Sequence, residues 1–235
     1  MTEIEAIKAR HSVRSYKPQM IEPEKIIQLR AKVSELNAES GLHLQFIEDA
    51  GRIYNNLINR ARGLGSAPSV IACVGRASDD LEQKIGYYGE KLVLFAQSLG
   101  LNTCWTGGFN HKTISAEVAS DEKLVIAIAI GYGKDQGKVR KSKTFEQVVE
   151  AAGERPDWFN QGVEMALLAP TAINQQKFVI KLADGEKVEF IDKGGPFSKV
   201  DIGIVKCHFE IGSGKKIRYC RLETLENTGK RNIET

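Results

Sequence analysis

Long apolar runs are absent from this chain. The longest uncharged stretch, residues 92–110, holds Gln97, Ser98, Asn102, Thr103 and Asn110 together with three glycines. A membrane-spanning helix needs about 20 predominantly apolar residues, so this stretch is not one. The first residues mix Glu3, Glu5, Lys8 and Arg10 with isolated apolar side chains and lack the apolar block of a signal peptide. Cysteine is scarce: Cys73, Cys104, Cys207 and Cys220 stand far apart, with no CxxC pair. That pattern fits neither a disulfide framework nor a zinc site, and it leads us to expect a soluble, cytoplasmic protein. Neither sign of charge dominates, because 33 Lys and Arg face 30 Asp and Glu. A chain built to coat nucleic acid or an anionic membrane carries a large basic excess, so neither partner is expected. HExxH, GxSxG and a GxGxxG after a strand are also missing. No zinc-protease, serine-hydrolase or Rossmann nicotinamide site is therefore signalled.

What is present is ordinary globular material. The 235 residues are 42% apolar and 27% charged, enough to bury a core as one large domain or two small intimate ones. Thr2 and Glu5 form a capping box ahead of a first helix, and Pro23 opens a second. Residues 43–48 read as a strand, 52–62 as a helix and 69–75 as a buried β-branched strand. Residues 80–99 read as the longest helix, stopped by Gly100, and 123–132 as another buried strand. A short helix is expected from Thr144, and Gly153 to Pro156 punctuate a joint. The chain then restarts with a helix over 157–168. Strands at 178–182 and 187–191 flank the turn signal Asp184-Gly185, and a helix over 201–211 and a strand over 217–222 follow. Residues 226–235 are polar and expected to be loose.

Four segments could carry chemistry. Arg10-His11-Ser12-Val13-Arg14 gathers two guanidiniums and a hydroxyl that can converge on a phosphate, or it is a solvated helix end. Residues 99–109 follow the long helix as a loop. Gly107 and Gly108 there either let bare amides approach a flat ring or serve a tight turn. Lys134, Lys138, Arg140, Lys141 and Lys143 form a basic cluster without interleaved aromatics, which suits a phosphate clamp or a plain solvated loop. Residues 169–176 place Thr171, Asn174 and Gln176 between an apolar helix and an apolar strand, as a heterocycle-binding junction or a capping turn. His208, on an amphipathic helix, reads as a satisfied core histidine.

Together these segments resemble the FMN-dependent nitroreductases. Arg10-His11-Ser12-Val13-Arg14 is similar to their RxSxR opening, and residues 99–109 to their GLGxxWxGGF segment. Residues 127–132 with the basic stretch resemble their IAIGYP strand and phosphate-clamping cations, and residues 169–176 their APSxxNxQP turn. The order is unusual, because that turn normally follows soon after RxSxR. Asp201-Ile202-Gly203-Ile204 with Cys207-His208 resembles the DLG-containing helix of a smaller branch with two lobes in one chain. Gln176-Lys177-Phe178 stands where QPW is usual, and Asn102 replaces the third residue of GLG.

The resemblance implies an α+β fold, a nitroreductase-like mixed sheet flanked by helices. It implies two intimate lobes, 1–152 with the phosphate-binding segments and 153–235 completing the flavin site. A monomer could then hold FMN, with dimerisation optional. NAD(P)H is the implied reductant, and a small aromatic, nitro or quinone-type molecule the acceptor, in a ping-pong cycle. The implied cofactor-binding residues are Arg10, His11, Ser12, Arg14, Trp105, Thr106, Gly107, Gly108, Arg140, Lys141, Lys143, Pro170, Thr171, Asn174 and Gln176. Among them Arg10, Arg14 and one or two of Arg140, Lys141 and Lys143 would meet the phosphate, Ser12 the phosphate or ribityl, and Asn174 a flavin edge. Amides at Thr106, Gly107 and Gly108 would face N5 and O4 of the ring. No side chain is expected to be catalytic, because the isoalloxazine carries the chemistry. The alternatives are a flavin-storage protein without turnover, or a relative that has lost flavin for another ligand or partner.

Overall fold

The computed structural model describes residues 1–50, 53–54, 64–109, 111–151, 153–183 and 187–216. Expectations for the turn at Asp184-Gly185, the strand at 217–222, Cys220 and the tail lie outside these residues. So does the helix at 52–62 apart from Ile53 and Tyr54. No helix among the described residues is long and apolar enough to cross a membrane.

Local signals set most element boundaries. Helix α1 (Glu3–Ala9) begins at the Thr2 capping box, with both reciprocal hydrogen bonds formed. Helix α2 (Pro23–Ser40) has proline in its first turn and ends at Gly41, in the left-handed region at φ 71°. Strands β1 (His43–Ile47) and β2 (Ser69–Arg76) follow, and then the long helix α3 (Leu81–Ser98). Strands β3 (Asn102–Thr106) and β4 (Glu122–Gly131) complete a four-stranded antiparallel sheet of order β1-β2-β4-β3. β2 is buried along its length except at Arg76, as its β-branched run requires for an interior strand.

The second half builds a smaller sheet. Strand β5 (Val149–Ala151) pairs in parallel with β6 (Phe178–Ala183), which pairs antiparallel with β7 (Lys187–Asp192). Helices α4 (Asp157–Ala166) and α5 (Ser198–Ser213) pack beside it. Two expectations need correction. Residues 99–109 are not simply a loop, since Asn102 to Thr106 pair with β4. A polar start at Asn102 and Thr103 hid the strand. The short helix from Thr144 is one 3-10 turn, Phe145–Gln147, and strand β5 follows it, so the second sheet begins before Gly153.

One apolar core joins the two sheets: Leu92, Val93 and Ile128 belong to the same cluster as Phe159, Phe178 and Phe209. Phe209 meets Phe159 and Phe190 edge-on, with centroids 5.7 and 5.4 Å apart. Helices α3 and α5 cross closely at Gly86 and Gly203. A Cβ on Gly86 would lie 2.1 Å from the Val200 carbonyl oxygen, and one on Gly203 2.1 Å from that of Gln83. Only glycine lets these backbones approach so closely. Cys73, Cys104 and Cys207 are all buried thiols outside any disulfide.

Candidate functional site

Three separated segments meet at one cleft of about 340 Å³. The first leaves α1 and lies along the open edge of β3: Ser12 bridges Thr103 in parallel, and Val13 N–H donates to Thr103 O at 3.0 Å. Tyr16 anchors its far end, its buried hydroxyl donating to Val13 O at 2.7 Å. The second segment is the basic loop after β4, tied to the first where Lys134 N–H donates to Ser15 O at 2.9 Å. The third is the turn between α4 and β6. Its Asn174 Nδ2 and Gln176 Nε2 donate to Lys141 O at 2.9 and 3.1 Å, and Arg140 Nη2 donates to Leu167 O at 3.0 Å. His11, Ser12 and Arg14 thereby face Lys138, Arg140, Pro170, Thr171 and Asn174 across the cleft.

That turn is strained. Ile173, Asn174 and Gln176 all have positive φ, at 47°, 57° and 45°. Such conformations cost non-glycine residues about 1–3 kcal/mol each and concentrate at functional sites. The surroundings hold them in place. Thr171 Oγ1 accepts from Gln176 N–H at 3.0 Å, and the Asp201 carboxylate accepts from Ala172 N–H at 2.9 and 3.1 Å and from Gln175 Nε2 at 2.7 Å. Burial raises the Asp201 carboxyl to about 6 despite those two donors, with Asp192 adding to the rise.

Charge in and behind the cleft is predominantly positive. Among the described residues Asp135 is the one carboxylate in its lining, and its Oδ1 is engaged by Gly137 N–H at 2.8 Å. Burial, with the nearby Arg10 charge adding and Glu90 opposing, lowers the Arg140 guanidinium to about 10. Nε of Arg140, and Nε and Nη1 of Arg10, are buried with no hydrogen-bond partner among the described residues. Their positive charge lies beside a cleft lined by Arg14, Lys138 and Arg140, an arrangement suited to an anion.

The family model described as "Putative TM nitroreductase" matches residues 3–213. The chain belongs to this nitroreductase family. A crystal structure from Thermotoga maritima, described as a "putative nitroreductase", is 26% identical. The match covers 90% of this chain and 83% of that one, with a TM-score of 0.61. A nitroreductase family protein from Streptococcus pneumoniae is 13% identical over 63% of this chain and 99% of its own. Its TM-score of 0.52 shows the shared fold. None of the curated proteins compared with this chain matches it.

Within this family member the expected site residues divide. His11, Ser12, Arg14, Arg140, Pro170, Thr171 and Asn174 line the cleft. Arg10 stands behind the wall, 5% exposed, with Nη2 at 3.4 Å from Ser12 Oγ. Of the three competing cations, Arg140 is in the lining. Lys143 Nζ instead donates to Gln176 O at 2.6 Å, and Lys141 contributes the carbonyl that pins the turn. Gln176 is buried as part of that pin. Trp105, Thr106, Gly107 and Gly108 are not brought into the cleft lining. Trp105 Nε1 donates to Glu90 at 2.8 Å, and Thr106 Oγ1 donates to Ala127 O at 2.9 Å. The ring of Phe197 covers Gly107, where a Cβ would lie 2.3 Å from it, whereas Gly108 faces open space. Phe197 itself holds a left-handed φ of 55° ahead of α5.

Sequence reasoning missed Lys138 as a lining residue, Phe197 as a cover and Glu90 as a charged partner. Lys138 stood in the basic cluster, so a signal existed. Glu90 and Phe197 carried none, because their partners are remote in sequence.

Proposed function

We propose that this nitroreductase is an FMN-dependent NAD(P)H oxidoreductase that reduces a small aromatic, nitro or quinone-type acceptor. The observation that carries the reading is the convergence of three sequence-distant segments on one cleft lined by the cations Arg14, Lys138 and Arg140. The phosphate end of FMN fits it. Arg14, Lys138 and Arg140 would offset the phosphate charge, with Arg10 adding its field from behind, and Ser12 and Thr171 offer hydroxyl donors. Bound FMN supplies hydride chemistry between NAD(P)H and the acceptor, while the protein holds and polarises it. With no separate nicotinamide fold among the described residues, reductant and acceptor would use one face in turn, which is ping-pong. Because the basic loop and the strained turn come from one chain, 153–235 would complete the site begun by 1–152, and bound flavin should survive dilution to monomer.

One observation favours a second reading, a phosphate-bearing ligand other than flavin: Phe197 occupies the space over Gly107 that a flat ring would use. A visible spectrum of the purified protein separates the two. Flavin bands, with FMN bound more tightly than riboflavin, support the first. A colourless protein that FMN does not colour supports the second.

A further inference from the structure

A buried carboxylate behind the cleft has no part in the chemistry above. Glu90, in the middle of α3, is 0% exposed. Both its oxygens are engaged at short range. Trp105 Nε1–H donates to Oε2 at 2.8 Å, and His208 Nε2 lies 2.9 Å from Oε1. His208 is also 0% exposed, and its Nδ1 lies 3.1 Å from Met165 O, a group that can only accept. The ring is thereby held between Met165 O and Glu90 Oε1, one nitrogen on each.

Arg10 is a cation beside Glu90, yet its Nε stays 3.9 Å from Oε1. That is outside hydrogen-bond range. Its Nε and Nη1 have no hydrogen-bond partner among the described residues, and its Nη2 points toward Ser12 in the cleft wall. Around one carboxylate stand Arg10, His208 and, more distantly, Arg140. Positive charge is in excess there before any anion binds.

We propose that His208 is a positioning residue for anion binding: by occupying Glu90 Oε1 it leaves Arg10 uncommitted, so that the Arg10 charge acts on the cleft. The proposal rests on reading the cleft as a phosphate site. Its physical basis is competition for one oxygen. Without the His208 ring, Oε1 becomes a buried acceptor with no short-range partner, and unmet buried carboxylate oxygens are costly. Arg10 is the nearest donor and has only to close the 3.9 Å gap. Its guanidinium is then held by Glu90, which weakens an anion in the cleft. Because His208 sits on α5, the half of the chain without the basic segments sets the strength of the phosphate site.

The test compares the full-length wild type with His208→Phe and His208→Gln, each checked for fold by circular dichroism. Dissociation constants for FMN and riboflavin come from flavin fluorescence, and inorganic phosphate is scored by its stabilisation against heat. For His208→Phe we expect FMN affinity to fall about tenfold, as for loss of one charge-assisted contact. Riboflavin affinity should hold, and phosphate should no longer stabilise. Gln keeps a donor near the position of Nε2 and should recover most of the loss. An unchanged FMN-to-riboflavin ratio in His208→Phe, or no recovery in His208→Gln, overturns the proposal. If the wild type does not prefer FMN to riboflavin, the cofactor reading fails and inorganic phosphate alone decides. Stabilisation present in the wild type and lost in His208→Phe upholds the positioning role, and any other pattern overturns it. Should His208→Phe not fold, Trp105→Phe frees the other Glu90 oxygen and must show the same selective loss.

Discussion

Replacing Gly86 by alanine tests whether the two sheets are held together by one close helix crossing. The new Cβ would lie 2.1 Å from Val200 O and 2.9 Å from Val200 C. Carbon–oxygen contacts settle at about 3.3 Å, so α3 and α5 must part locally by about 1.2 Å. Gaps of about 0.5–1 Å forfeit a quarter to a half of the dispersion energy across an interface, and overpacking costs about 1–3 kcal/mol. The same movement stretches His208–Glu90 from 2.9 Å and Lys206–Gln83 from 3.1 Å. A weakened charged bond adds about 1.5–3 kcal/mol. Alanine returns about 1 kcal/mol of helix propensity. The balance is a loss of about 3 kcal/mol, or about 10 °C in Tm for a chain of this size. Thermal and urea unfolding followed by circular dichroism measure it. Gly203→Ala should cost a similar amount, because its Cβ would meet Gln83 O at 2.1 Å. The double variant should cost much less than the sum, since the first substitution has already opened the gap. A Gly86→Ala protein as stable as the wild type, or more so, would refute the argument, for the sign itself would then follow propensity.

Arg140→Ala should weaken FMN binding by about 1–3 kcal/mol and leave riboflavin unaffected. Arg14→Ala, at an exposed position, should cost less, and its effect should shrink in high salt; equal losses with both flavins would sink the phosphate assignment. Asp201 sits at about 6 in the folded protein against an ordinary value of 3.8. The folded state therefore binds more protons between those values, and stability falls as pH rises through that window, by about 3 kcal/mol, then levels off. Urea midpoints for Asp201→Asn should lack this slope, and parallel profiles for the two proteins would contradict it. Phe197→Gly removes both the ring over Gly107 and a left-handed non-glycine residue, so riboflavin affinity should rise about fivefold, near 1 kcal/mol. No gain in fluorescence titrations would mean that the flavin ring does not use Gly107.

Where chemistry is local, the sequence was enough. The Thr2–Glu5 capping box, Pro23, the β-branched run in β2 and the periodicity of α3 each act within a few residues, and each has the predicted structure. The segments around Arg10, Arg140 and Asn174 were also visible, because convergent polar residues at element ends are unusual. Strand β3 was not, since an edge strand opening on Asn102 and Thr103 owes its existence to β4 across from it. The fates of Trp105, Lys143 and Gln176 depended on which acceptor lay nearest after folding. The same holds for Glu90, whose partners are Arg10, Trp105 and His208. No spacing rule links positions 10, 90, 105 and 208. Only tertiary packing brings them within a few ångströms: α5 on α3, permitted by two glycines, carries His208 to Glu90, while α1 and β3 carry Arg10 and Trp105 to it, where a buried charge must find partners or remain unpaired.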